Sequence, residues 1–290
     1  MHRIRIRLIA AALCLLAAVA GCERATAPAP VPGLPPPGPV ATVQQRLREL
    51  HRSDLAGYAR HSVPPALYAE LDRAWREDRS RWPLTELPLD DRLPGLLTAL
   101  GAPDAERKLR ASYRREFAGA HSELRSAATT LGLLGVRHLK AEPGYSDDER
   151  AHYIALVEAL SDWGRQAPLG ATDRANPAIT RLAAAARRTG LHRAPAWQQA
   201  GMAGSLQRLG PFFGTLKQVL AGYGLDFDRA LDDARVELVE HKGDRARVKL
   251  HYRLAERPID AGLELQRIDG RWYLADVLTH ARTEAARQPH

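Results

Sequence analysis

The sequence predicts an α+β protein that is mainly helical, with a multi-helix body followed by a four-stranded antiparallel β-meander at the C-terminus. Three observations support this fold class. Apolar residues recur at helical spacing over residues 40–233, they alternate with polar residues over 234–279, and an Asp-Gly pair at 269–270 marks a tight hairpin turn. Sequential strands with short connections pair as antiparallel neighbours. Such a sheet buries one apolar face, so helices are expected to cover that face. Residues 40–279 therefore form one globular unit.

Several helices in the body are marked by an apolar stripe or by a start signal. Pro103 begins a long helix in which one apolar face continues for about eight turns, as far as Leu131. Residues 146–149 read Ser-Asp-Asp-Glu, a capping box that begins another helix. A further helix spans about 202–221, and its Gly-Pro pair at 210–211 predicts a kink or a restart.

The alternation after residue 233 also predicts a strand register. A three-residue loop at 242–244 places Leu238 opposite Val248 on the apolar face. The same register places Glu237 opposite Lys249 on the polar face, where the two side chains can form an ion pair.

The fourth strand is expected over residues 271–277, and residues 280–290 are expected to be a tail. The end of the sheet, where residues 268–273 read Ile-Asp-Gly-Arg-Trp-Tyr, resembles the terminal hairpin of SnoaL-like, cystatin-type α+β proteins. Residues 47–56 look like the first helix and turn of that family. The resemblance implies a shared fold for these parts. It implies no function, since this fold carries enzymes, binding modules and scaffolds alike.

The N-terminus has the layout of a secretory signal over residues 1–21. Three arginines precede an uncharged apolar segment at 8–20, which is short for a membrane span. Residues 19–22 read Val-Ala-Gly-Cys, and this ending resembles the lipobox of bacterial lipoproteins. The resemblance implies that Cys22 is lipidated and becomes the new N-terminus.

Residues 22–39 are expected to be a proline-rich tether that follows the lipidated cysteine. In the lipoprotein family, Asp after the cysteine retains a protein at the inner membrane. Glu23 stands at that position here. The resemblance therefore implies a protein anchored to the outer membrane and facing the periplasm.

Charge and cysteine usage narrow the classes of function. The formal net charge is +8, and three of these charges lie in the signal, which leaves +5 for the rest of the chain. Cys14 would be removed with the signal and Cys22 would be acylated, so no intramolecular disulfide is expected. An exported, anchored protein does not meet nucleic acid, and we expect neither a nucleic-acid partner nor a cofactor.

Motifs for catalysis and metal binding are absent or incomplete. The chain has no His-Glu-x-x-His and no paired Cys-x-x-Cys, so no metal site is predicted. His121 and Glu123 match the His-x-Glu of zinc deaminases, but the Pro-Cys-x-x-Cys partner motif is missing. Ser205 follows a glycine but does not lie in a Gly-x-Ser-x-Gly elbow. We predict no catalytic residue.

The strongest site hypothesis is a row of alternating basic residues on one face of the second strand. The row consists of Arg245, Arg247, Lys249, His251 and Arg253. Like charges on one strand repel, so one interpretation is pairing across the sheet with Glu237, Asp260 and Glu264. The other is an anion-binding face made by Arg245, Arg247, Lys249 and Arg253.

Three functions follow as hypotheses. The first is a non-catalytic binding or scaffolding lipoprotein, held at the membrane by Cys22, whose partner is an envelope protein or an anionic envelope polymer. The second is an inhibitor or immunity lipoprotein that blocks an envelope hydrolase. The third is a small-ligand carrier or enzyme with a pocket between helices and sheet, which requires several polar groups converging in one cavity.

Overall fold

The computed structural model describes residues 37–86, 92–142, 145–193 and 195–288. The predicted signal peptide, the lipidation site Cys22 and all but the last three residues of the predicted tether lie outside the described residues. The described part contains eleven α-helices and one four-stranded antiparallel sheet, which confirms the α+β, mainly helical fold class.

The helices lie before and after the sheet in the chain. They are α1 (Pro39–His51), α2 (Leu55–Ser62), α3 (Pro65–Arg76), α4 (Leu93–Gly101), α5 (Ala105–Glu116), α6 (His121–Ala141), α7 (Asp147–Gln166), α8 (Thr172–Thr189), α9 (Pro195–Gly222), α10 (Phe227–Asp232) and α11 (Ala275–Ala285). A 3-10 turn covers Leu84–Glu86. The strands are β1 (Arg235–Lys242), β2 (Arg245–Leu254), β3 (Arg257–Ile268) and β4 (Arg271–Leu274).

The sheet is a meander in the order β1-β2-β3-β4, and its predicted register is confirmed. Leu238 lies opposite Val248 and Glu237 lies opposite Lys249. The loop is shorter than expected, because Lys242 pairs with Arg245 and leaves a two-residue turn. A bulge between Leu238 and Glu240 takes up the extra residue, so the register is the predicted one at the far end of the strands.

The fourth strand is shorter than predicted, and the expected tail is largely a helix. β4 ends at Leu274 and α11 starts at Ala275, where the sequence predicted a strand to 277 and a tail at 280–290. Leu278 and Ala281 are both fully buried in the main core. Their three-residue spacing puts them on the same helix face, which a strand would not do.

The long helix predicted from Pro103 to Leu131 is divided in two. α5 ends at Glu116 and α6 begins at His121, because Gly119 has a φ of +77° that a helix does not accommodate. The break turns the expected apolar face away from the core, so Leu131 is 68% exposed.

α9 crosses the main core, and its kink lies at Gly201 and not at the predicted Gly-Pro pair. Gly201 has a φ of 67° and a ψ of −177°, whereas Pro211 is accommodated inside the helix. The buried residues Leu206 and Phe212 pack with Trp75 in the largest hydrophobic cluster. The indole nitrogen of Trp75 donates to the carbonyl oxygen of Trp197 at 3.1 Å, which ties α3 to the first turn of α9.

α1 and α7 are two of the helices that pack on the sheet. α1 lies on its apolar face, where Val43 packs with Val248 and Leu265. α7 lies along the part of β3 that β4 does not reach, since β4 pairs only with residues 265–268. Arg257 of β3 donates to carboxylates of α7, and its Nη2 lies 2.9 Å from Asp162 Oδ2. The capping box at residues 146–149 that starts α7 is present as predicted.

Candidate functional site

The predicted basic row lies on the exposed face of β2. Residues at odd positions from 245 to 253 face away from the core, and those at even positions point into it. The register places Glu264 of β3 opposite Arg247 and Asp260 opposite His251. The sequence therefore predicted both the face and its acidic neighbours.

Asp260 is the main counter-charge of this row. Its Oδ2 lies 3.0 Å from Lys249 Nζ, and its Oδ1 lies 2.7 Å from His251 Nδ1. The hydrogen bonds from Lys249 and His251 lower the pKa of the Asp260 carboxyl. Glu237, which the register places opposite Lys249, has its carboxylate 3.7 Å from His251 Nε2 instead.

The arginines of the row make looser contacts. Arg247 lies 3.9 Å from Asp148 and 4.0 Å from Glu264, while Arg253 Nη2 donates to the Glu256 carbonyl oxygen at 2.8 Å. Exposed pairs of this kind contribute about 0–1 kcal/mol. Four members of the row thus have an acidic neighbour, while Arg245 lies opposite Lys242 and Gln266 in the sheet. Anion binding by Arg245, Arg247, Lys249 and Arg253 stays a prediction.

The cavity between helices and sheet is too small for a ligand. It has a volume of about 30 Å³, and its lining is apolar apart from one tyrosine hydroxyl. The lining residues are Leu47, Phe227, Ala230, Leu231, Ala234, Leu250, Tyr252 and Leu254. The Tyr252 hydroxyl lies 3.0 Å from His152 Nε2, so this cavity does not supply the converging polar groups that a carrier or enzyme requires.

A larger cavity lies between the start of α6 and the end of α7. Its volume is about 430 Å³. Three cationic or titratable side chains, His121, Arg125 and Arg165, line it together with Leu124, Gly164, Gln166, Ala167, Pro168 and Gly170. His121 was singled out in the sequence only as part of an incomplete zinc motif. The cavity itself was not predicted, because it depends on the antiparallel pairing of two helices.

α6 packs closely on α7 through small residues and leaves leucines exposed away from this contact. A Cβ on Gly132 would collide with Ser161, and one on Gly135 would lie 3.0 Å from Val157. Ser161 Oγ donates to the carbonyl oxygen of Ala128 at 3.0 Å. The exposed leucines are Leu131 (68%), Leu133 (68%) and Leu134 (57%). Leu131 and Leu134 share one side of α6, which is the main apolar surface of the described structure, and Leu133 lies on another side.

One buried polar cluster that sequence reasoning missed joins α11 to the loop after α3. Glu284 is fully buried and accepts from Ser80 Oγ at 2.7 Å. His280 Nδ1 lies 2.6 Å from Glu86 Oε1, and His280 Nε2 lies 3.4 Å from Glu284 Oε1. His280 and Glu284 are four residues apart, a spacing that brings two side chains together on a helix. The contact was missed because residues 280–290 were predicted to be a tail.

A second such cluster lies under α9. Lys217 is 2% exposed, and its ammonium binds Asp228 of α10. Burial lowers the pKa of Lys217 to about 8 despite this carboxylate, and burial likewise raises the pKa of Asp228. Packing closes Lys217 off from solvent while Asp228 is partly exposed, and the buried ammonium held by this carboxylate favours a structural role.

No family model, curated protein or solved structure matches this chain. The likenesses to bacterial lipoproteins and to SnoaL-like domains stay predictions from the motifs alone. Within the described ranges, no three His, Cys, Asp or Glu side chains are placed to hold a metal ion. None of the helices described is both long and apolar enough for a membrane span.

Proposed function

We propose that this protein is a lipoprotein anchored through Cys22 to the outer membrane, facing the periplasm, with a non-catalytic binding or scaffolding role. The observation that carries the binding role is the exposed leucine side of α6. A solvent-exposed helix face whose leucines are more than half exposed is typical of a surface that binds another protein. The sequence motifs at residues 19–22 support the anchor.

The residues on this side of α6 have the spacing of a helix-pairing seam. Steps of four, three, four and three residues separate the five exposed members of the seam. They are Ala127, Leu131, Leu134, His138 and Ala141, and we call them the α6 seam. This spacing keeps one stripe facing a partner helix along its whole length.

The charges beside the α6 seam indicate the chemistry of the partner. Arg137 and Lys140 are exposed near its C-terminal half, and neither makes an ion pair with another described residue. Opposite charges beside an apolar seam set the choice of partner. The α6 seam therefore fits an amphipathic helix of an envelope protein that carries acidic residues beside its apolar positions.

A photo-reactive amino acid placed at residue 134 in living cells tests this assignment, with residue 133 as the matched control. Leu133 is as exposed as Leu131 but lies on another side of the helix. We expect position 134 to cross-link to a partner helix with flanking Asp or Glu, position 133 to cross-link poorly, and Leu131→Ser to abolish the product. Cross-linking to lipid, to a second copy of this chain, or equally from both positions would overturn the assignment.

The anchor is tested separately with a Cys22→Ala variant. We expect the wild-type protein to fractionate with outer membranes and the variant to be recovered in the soluble periplasmic fraction. A variant that still fractionates with membranes would show that Cys22 is not the attachment point.

The exposed α6 seam is also the kind of formed partner surface that the inhibitor hypothesis requires. If the cross-linked partner is an envelope hydrolase, adding the purified protein should lower its activity, and Leu131→Ser should restore it. If the hydrolase activity is unchanged, inhibition of that enzyme is excluded and the scaffolding role remains.

A further inference from the structure

We propose that the 430 Å³ cavity between the start of α6 and the end of α7 binds a small organic anion, a carboxylate or a phosphate monoester with a short apolar body. This inference does not depend on the α6 seam or on the lipid anchor. It rests on the size of the cavity, on the residues that line it and on their charge balance.

The cavity has the size and the mixed lining of a ligand site. Pockets for small molecules measure about 300–1,000 Å³ and combine apolar walls with a few polar groups. Here Leu124, Ala167 and Pro168 supply apolar surface, while Arg125 and Arg165 supply hydrogen-bond donors. A ligand of a few carbon atoms with one charged head group matches this lining.

The charge balance of the lining favours an anion. Arg165 binds Asp162, which also accepts from Arg257 Nη2 at 2.9 Å. Because Arg257 pairs in addition with Glu158, these two guanidinium groups are balanced by two carboxylates, and the uncompensated charge at the cavity is that of Arg125. Among the described residues, no carboxylate pairs with the guanidinium of Arg125, and no acidic side chain lines the cavity. The cavity therefore carries an excess of positive charge next to its apolar wall.

The types of donor specify the head group. A guanidinium presents a planar pair of N–H donors that matches the oxygens of carboxylate and phosphate. The first turn of α6 also lies at the cavity, but two of its N–H groups already have acceptors. The His121 N–H donates to the Gly119 carbonyl oxygen at 2.8 Å, and a backbone hydrogen bond to the Glu123 carboxylate lowers the pKa of Glu123. The arginines therefore supply the donors for the head group.

Calorimetric titration of the full chain tests the proposal with three probes that share a short alkyl body: pentanoate, butyl phosphate and the neutral pentanamide. We expect at least one of the two anions to bind and pentanamide not to bind. Comparing pentanoate with butyl phosphate shows which head group the site prefers. Absence of binding by both anions, or equal binding of pentanamide, would overturn the proposal.

Variants locate the site. Arg125→Gln removes a charge that has no ion-pair partner among the described residues, so the fold should be unaffected, and we expect binding at least about tenfold weaker. Arg137→Gln removes the same charge from α6 outside the cavity and should change binding less than twofold. Arg247→Gln tests the basic row of β2. If Arg137→Gln weakens binding as much as Arg125→Gln, or if Arg247→Gln weakens it more, the cavity is not the site.

Discussion

The imidazole Nε2 of His152 lies 3.0 Å from the hydroxyl oxygen of Tyr252, and this contact joins α7 to the inner face of the sheet. The two rings also meet edge to face, with 6.2 Å between their centroids. Burial lowers the pKa of His152 to about 4, although Glu149 opposes the shift. The contact is therefore made by a neutral imidazole over most of the pH range.

His152 makes the protein lose stability in mild acid. The unfolded chain takes up a proton at this histidine near pH 6.5, whereas the folded chain does so only near pH 4. The contribution of His152 to the free energy of unfolding is thus complete above pH 6.5. It decreases by about 3 kcal/mol as the pH falls from 6.5 to 4. Urea unfolding at pH 7.5 and 4.5 should show this loss in the wild type and a smaller one in His152→Gln. Equal losses in both proteins would show that His152 is not responsible.

His280 acts in the opposite direction. Although burial alone lowers its pKa, hydrogen bonds to Glu284 and Glu86 raise it to about 9. The folded chain therefore keeps a proton that the unfolded chain releases near pH 6.5. This stabilisation is full below pH 6.5 and is lost as the pH rises through 9, by about 3 kcal/mol. We expect the stability of wild type relative to His280→Gln to fall between pH 6 and pH 9.5, and a constant difference would contradict the prediction.

The local pattern of the sequence was sufficient to predict the sheet. Alternation along β2 predicted which of its residues face the core, and the Asp-Gly pair predicted the next hairpin. Asp269 and Gly270 both have positive φ, as that turn requires. In β1 the pairing register was predicted but not the burial, because Leu238 is 50% exposed. α11 was missed because Trp272 and Tyr273 read as the middle of a strand, while the helix that follows is held by packing of Leu278 in a core formed by distant residues.

The candidate sites were predictable to different extents. The basic row of β2 depends only on alternation within one strand, so its face and its acidic neighbours followed from the sequence. The cavity between α6 and α7 depends on the interruption of the helix near Gly119 and on close helix pairing at Gly132. Neither the interruption nor the helix pairing has a strong local signal in the sequence. The same interruption of the helix leaves Leu131 exposed, although the apolar pattern placed it in the core.

The kink of α9 requires glycine at position 201. Its φ of 67° and ψ of −177° belong to a region that essentially only glycine occupies, and a Cβ there would lie 3.0 Å from Asp72 Oδ1. Asp72 Oδ1 accepts from the Met202 N–H at 2.7 Å, so it cannot easily move away. We expect Gly201→Ala to lower the free energy of unfolding by about 2 kcal/mol or more.

Gly204→Ala is the matched control, because Gly204 lies inside the same helix. A Cβ there would make an ordinary 3.5 Å contact with Ala200. Alanine favours a helix over glycine by up to about 1 kcal/mol, so this variant should be as stable as the wild type or more stable. Urea unfolding of the two variants measures the contrast, and similar values for both would show that the kink tolerates a side chain.

The pair of the buried Lys217 and the partly exposed Asp228 predicts a strongly non-additive double-mutant cycle. Lys217 also donates to the His51 carbonyl oxygen at 3.4 Å, so it joins α9 to α1 as well as to α10. Asp228→Ala leaves a buried ammonium without its carboxylate and should cost about 3–5 kcal/mol. Lys217→Met in that background removes the unpaired charge and fills its space with apolar atoms, so it should recover most of the loss. If the two substitutions add independently in urea unfolding, the pair does not act as a unit.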